Sequence, residues 1–303
     1  MNSREIEALR KKIMVIYSPG GGNGKSEIAA NLAFSFAQQG KKTWILDTNL
    51  FTPAQDIIFE VSQENPSLSG FLTDPAMQGI PVIDLSSCLG GNAGGRLFLT
   101  IANRTDPEMR FRLHELLNSG VDFSDRLITS LLTTMQSRDI DCLIIDTYPS
   151  FEKINEIWLG LTATLVIISR INDIDLKNVR MLLRQENVEE ISRKIVVFNN
   201  IRLDKNHNAR KALEDRVFLE RITTLRQNAE HIINSGDCHE DPDEPLGCVE
   251  MYKDPILYSE HLATFRQTLK RNGLFIQKEP EDQFSQSIRK FADYLKKSTV
   301  STT

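Results

Sequence analysis

No stretch of 18 or more apolar residues occurs in this chain, so no membrane-crossing helix is expected. The segment Met1 to Lys12 is polar and the first apolar run follows at once, so no signal peptide is read there and a cytoplasmic protein is expected. Cysteine is scarce. Cys88, Cys142, Cys238 and Cys248 are widely spread and form no CxxC pair, which argues against a disulfide framework in that compartment. Neither sign of charge dominates: 36 basic against 41 acidic residues leave a net charge of -5. That balance gives no general electrostatic reason to bind nucleic acid or an anionic membrane, although a local basic patch stays open. Internal repeats and a convincing domain linker are also missing, and the acidic stretch Asp237 to Pro245 reads as a loop. With 40% hydrophobic and 25% charged residues, the 303-residue chain has an ordinary globular composition and length enough for a sizeable core. One domain spanning 1–303 is expected.

What the chain does have is Pro19-Gly20-Gly21-Gly22-Asn23-Gly24-Lys25-Ser26, set between an apolar run, Ile13 to Tyr17, and a helical pattern, Glu27 to Gln39. Residues without a Cβ let backbone N–H groups converge on phosphate oxygens, and the start of a helix adds partial positive charge. In such a loop Lys25 reaches the β- and γ-phosphates and Ser26 ligates Mg²⁺. The pattern GxxxxGK[ST] has glycine where this chain has Pro19, and a structural glycine turn is the competing reading.

The pattern then alternates. Ile28, Ala29, Leu32, Ala33 and Phe36 form one helical stripe, Gly40 ends it, and Thr43 to Asp47 reads as a second buried strand ending in a carboxylate. Asp141 to Ser150 opens as another apolar strand ending in Asp146, of Walker B character, where an aspartate holds Mg²⁺ through water. Strands are also expected at Arg96 to Ala102, Thr164 to Ser169, Lys194 to Asn199 and Gly247 to Met251. Helices are expected at Pro107 to Leu117, Asp125 to Gln136, Asp175 to Arg184, Ala209 to Asn234, Ile256 to Lys270 and Gln283 to Lys297. Asn65 to Asn92 reads as loops with short elements. Repeated βα units with apolar strands predict an α/β fold, a mostly parallel central sheet flanked by helices on both faces. A second glycine run, Gly90 to Gly95, lacks a following Lys-Ser and leads into a strand, so it reads as a turn.

With these elements placed, the chain resembles the MinD/ParA family of P-loop ATPases. The resemblance rests on GGGNGKSEIAANLAFSFAQQGKKTWILD, on DCLIIDTYPS, on IVVFNN, and on MYKDP with its closing helix. It implies ATP and Mg²⁺ as cofactors, a homodimer joined face to face through ATP, and a protein partner in division, chromosome, flagellar or pilus positioning. It implies nucleotide binding by Gly20, Gly21, Gly22, Asn23, Gly24, Lys25, Ser26 and Glu27, with Asn199 on the purine. The implied metal residues are Ser26, Asp47 and Asp146, and the implied catalytic residues Lys25, Asp47 and Asn49. Asn199 capping its strand is the alternative. No NKxD-like sequence stands at Phe198 to Ile201, which favours ATP over GTP.

Two departures from the family pattern stand out. The signature lysine of KGGxGK[ST] is Gly20 here, and the second aspartate of the DxD switch is Asn49, which can hydrogen-bond a water but cannot accept its proton. Losing a catalytic group of this kind costs about 10² to 10⁴ in rate. Slow hydrolysis is therefore expected, with a hydrolysis-deficient scaffold of the pilus-assembly branch, resembling TadZ and CpaE, as the alternative. An iron–sulfur reductase component of the same fold needs two cysteine ligands per subunit, and Cys142 belongs to a strand expected to be buried. His231, Cys238, His239 and Cys248 fit no common zinc spacing. Ile288, Phe291 and Leu295 form one stripe beside basic residues in the last helix, a pattern compatible with peripheral binding to the inner membrane or with packing on the sheet. Arg202, Lys205, His207, Arg210 and Lys211 form a small basic cluster that leaves non-specific DNA open.

Overall fold

A computed structural model of the chain describes residues 2–90, 94–103, 106–119, 122–148, 153–199, 223–224, 227–231, 233, 249–257, 259–267 and 273–300. A short helix α1 (Ser3–Arg10) leads into β1 (Ile13–Tyr17), α2 (Lys25–Gln38) and β2 (Lys42–Asp47). The helices α3 (Gln55–Ile58) and α4 (Leu68–Thr73) precede β3 (Ile83–Asp84) and β4 (Arg96–Thr100). After α5 (Pro107–Asn118) and α6 (Ser124–Ser137) come β5 (Cys142–Asp146), α7 (Lys153–Leu161), β6 (Thr164–Ser169), α8 (Asp173–Leu183), α9 (Glu186–Glu189) and β7 (Arg193–Phe198). The last described elements are β8 (Val249–Met251), α10 (Glu260–Gln267), α11 (Phe275–Lys278) and α12 (Gln283–Val300).

The strands form one eight-stranded sheet among the described residues, in the order β3-β4-β2-β5-β1-β6-β7-β8. Every pairing is parallel except β3 with β4 at one edge. Alternate side chains of each strand enter two separate cores. Val15, Trp44 and Ile145 point to the face covered by α6, α7 and α8, while Ile16, Ile45 and Ile144 point to the face covered by α2 and α12. Burial on both faces explains why the strands are apolar throughout, without the alternation of a half-exposed sheet.

The expected strands at 13–17 and 164–169 have the observed bounds, and the others differ by a residue or two at their ends. Five helices, α1, α3, α7, α9 and α11, were not expected, α9 and α11 having only four residues each. α1 is polar but closed by a capping box, in which Asn2 Oδ1 accepts from Glu5 N and Glu5 accepts from Asn2 N. α3 has only four residues, and α7 follows a proline and serine that mask its start. The expected helix at 209–234 falls mostly outside the described residues, as do the basic cluster at 202–211 and the loop at 237–245.

Of the second glycine run, Gly90, Gly94 and Gly95 are described, and a bend at Gly95 leads into β4. A Cβ on Gly95 would stand 2.2 Å from the Ala37 carbonyl oxygen, so the start of β4 can pass the end of α2 only as glycine. That contact is at the N-terminal edge of the sheet, opposite the Lys25 loop.

Candidate functional site

The loop from β1 to α2 is held by its own side chains. Ser18 Oγ donates to the Gly20 carbonyl at 2.9 Å and accepts from Asn23 Nδ2 at 2.6 Å. Gly24 sits at the helix N-cap with φ +79°, a left-handed backbone that favours glycine, and no side chain caps the first turn of α2. Those first N–H groups therefore stay open towards the loop, the arrangement that receives an anion. The Lys25 ammonium is buried, which lowers its pKa, while the nearby Asp146 carboxylate pulls it back up.

The two expected carboxylates meet. Asp47 and Asp146 are direct register partners at the C-terminal ends of β2 and β5, and both are fully buried. Asp47 Oδ1 accepts from Asn49 N at 3.0 Å, and Oδ2 accepts from Ala54 N and Gln55 N at 3.2 Å each. Burial first, then the Asp146 charge, pushes the Asp47 carboxyl well above the ordinary carboxylate range. Asp146 is also raised by burial, with Gln55, Ser26 and Lys25 each drawing it down.

Asp146 Oδ1 is buried with no hydrogen-bond partner. A bare carboxylate oxygen beside a buried lysine and the Ser26 hydroxyl is a donor set suited to a hydrated divalent cation, so the residues present fit Mg²⁺. Gln55, which the sequence did not single out, completes this cluster: its Nε2 donates to Asp146 Oδ2 at 2.8 Å and to the Ser26 carbonyl at 3.1 Å. Eight residues after Asp47, a glutamine follows no motif. Its place depends on α3 folding back onto the site.

Asn49 is drawn into its own loop. Its Nδ2 donates to the Thr52 carbonyl at 2.7 Å, and its Oδ1 accepts from Thr52 N and Oγ1. Asn199 lies at the end of β7, and its Nδ2 donates to the Asn23 carbonyl at 2.8 Å. It also lines a recess of about 190 Å³ with Gly22, Gly24, Glu27, Leu257 and Leu262. A Cβ on Gly20 would stand 3.6 Å from Asp175 Oδ1, an ordinary contact distance, and Asp175 is paired with Arg170 at 2.8 Å.

The remaining candidates separate. Cys142 is a buried free thiol in β5 with its pKa pushed up to about 11, and Cys88 is a half-buried free thiol. Of the four residues gathered as a zinc set, only His231 is described, and no group of three or more metal-ligating side chains occurs among the described residues. Ile288, Phe291 and Leu295 are all buried in the core against α2, so the apolar stripe of α12 is occupied by packing. No described helix is long and apolar enough to cross a membrane.

Comparison with known proteins gives three kinds of likeness. Residues 9–92 match the ParA family model, described as NUBPL iron-transfer P-loop NTPase. An iron–sulfur cluster carrier protein of Pseudomonas fragi is 40% identical over 53 residues, a match that spans 18% of this chain and 18% of that relative's length. Among solved structures, a ParA family ATPase from Chlorobium tepidum superposes with a TM-score of 0.61 at 19% identity, covering 93% of this chain and 98% of the other. The septum site-determining protein MinD of Pyrococcus horikoshii, complexed with Mg-ADP, gives a TM-score of 0.60 at 14% identity, covering 95% and 97%.

Proposed function

We propose that this chain, which has the fold of the MinD and ParA P-loop ATPases over nearly its whole length and matches the ParA model over residues 9–92, is an ATP- and Mg²⁺-binding nucleotide switch with slow hydrolysis. The observation that carries the proposal is the cluster of buried Lys25, half-buried Ser26 and buried Asp146, in which one Asp146 carboxylate oxygen has no hydrogen-bond partner. The open first turn of α2 suits the phosphates, and the Mg-ADP held by the Pyrococcus MinD supports the same ligand class here.

The residue roles follow from charge and position. Gly21, Gly22 and Gly24 put no side chain between their own backbone and a phosphate, so that N–H groups can approach it. Lys25 would contact the β- and γ-phosphates, and an anionic ligand would raise its depressed pKa. Ser26 and Asp146 would hold Mg²⁺, with Asp47 fixing the switch loop beside them. When bound, Mg²⁺ neutralises charge on the transferred phosphoryl group. Glu27 and Asn199 line the recess next to the loop, where a base would be received.

Slow turnover is supported by two positions: Gly20 brings no cation to the phosphates, and the Asn49 amide is bonded at both ends to Thr52. The same two features favour, as a second reading, a scaffold that binds nucleotide and dimerises without turnover in a pilus-assembly system. In either case the expected partners are a second copy of the chain and a component of the structure being positioned.

Titration of the purified protein with a fluorescent ATP analogue should show Mg²⁺-dependent binding that Lys25→Ala abolishes. Single-turnover hydrolysis should run well below about one per second, the low end of ordinary enzymes. Turnover at that rate would sink the slow-switch reading. Undetectable hydrolysis with intact binding would favour the scaffold.

A further inference from the structure

Gln55 is the first residue of α3, and its side chain is fully buried. It touches all three parts of the site. Its Nε2 reaches the Ser26 carbonyl and Asp146 Oδ2, and its backbone N–H is one of three that hold Asp47. Its Oε1, like Asp146 Oδ1, is buried with no hydrogen-bond partner. Two bare acceptor oxygens, on side chains already bonded to each other, suit a ligand that donates hydrogen bonds and carries positive charge. A hydrated divalent cation is such a ligand. Asp47 differs from these two side chains in that both its oxygens already accept backbone N–H bonds.

We propose that Gln55 is a positioning residue of the Mg²⁺ site: its amide N–H orients Asp146, and its bare carbonyl oxygen accepts from a water of the magnesium shell. Through α3 the same side chain ties the switch loop to the metal, so that loop and cation are set together. The inference rests on the nucleotide reading given above. Partners that orient metal ligands change metal affinity about 10- to 100-fold when removed.

The test is a Mg²⁺ titration of fluorescent ATP-analogue binding to the full chain, comparing wild type with Gln55→Met and Gln55→Asn. Methionine keeps the volume without the amide. Asparagine keeps the amide but is one methylene too short to bridge Ser26 and Asp146, and it serves should the methionine variant fail to fold. The expected result is a Mg²⁺ midpoint raised by about tenfold or more, with affinity in EDTA unchanged. An unchanged midpoint in a folded variant overturns the proposal, and so does an equal loss with and without Mg²⁺, the outcome of a merely structural role. Wild-type protein that binds no nucleotide overturns the nucleotide reading and this inference together, whereas intact wild-type binding with unaltered variants overturns this one alone.

Discussion

Gly24 shows how much one residue can decide. Its φ of +79° is strained for any side chain, and a Cβ there would stand 2.6 Å from Asn199 Nδ2. Gly24→Ala would therefore strain the loop and displace the amide that holds the Asn23 carbonyl. The expected cost is about 1–3 kcal/mol of stability together with weaker nucleotide binding, measured by urea unfolding and by titration. This position was legible from the sequence, since the glycine of a GKS run has a recognised backbone task. Gln55 was not, because its partners Ser26 and Asp146 are 29 and 91 residues away in sequence. Asn49 was legible as a departure from DxD, but its engagement with Thr52 follows from the turn the loop makes.

At the scale of elements, α12 has two competing uses for its apolar stripe. Phe291 is fully buried, in ring contact with Tyr252 at a centroid distance of 4.7 Å, and Ile288 and Leu295 complete the contact with the α2 face. Phe291→Ala should cost about 3–5 kcal/mol in urea unfolding, the range for emptying an aromatic core site. A surface-binding stripe would instead leave stability nearly unchanged, and liposome flotation of the wild-type protein is expected to be negative. Periodicity located α12 but could not say whether sheet or membrane received it, because the two environments select the same side chains. The short α3 escaped notice for the opposite reason: four residues carry no period, and its start is stabilised by Asp47 from the neighbouring strand.

Across the whole molecule, the buried pair Asp47 and Asp146 links stability to pH. Both carboxyls are raised above the ordinary carboxylate value, mainly by burial. Well below pH 4, folded and unfolded chains both hold these protons and the pair adds no pH-dependent cost. As pH rises from about 4 towards the elevated values, the unfolded chain releases protons first, so stability falls. Asp146→Asn should flatten that fall in the nucleotide-free protein and raise stability at neutral pH, while abolishing the Mg²⁺ dependence of nucleotide binding. Urea unfolding at a series of pH values checks the first effect and titration the second. A variant less stable than wild type at neutral pH would show that the hydrogen bond from Gln55 outweighs the buried charge.

The sequence by itself determined the α/β class, the parallel βα units, the glycine loop ahead of α2 and the two strand-end carboxylates. Each depends on short-range pattern: apolar runs that must be buried on both faces, glycines that must be bare, and aspartates that close a strand. Tertiary structure alone decided that Asp47 and Asp146 stand in register, that α12 presses its stripe on α2, and that Gln55 joins the loop to both carboxylates. Those contacts join residues distant in the chain, and only the folding of the sheet brings them within hydrogen-bond reach.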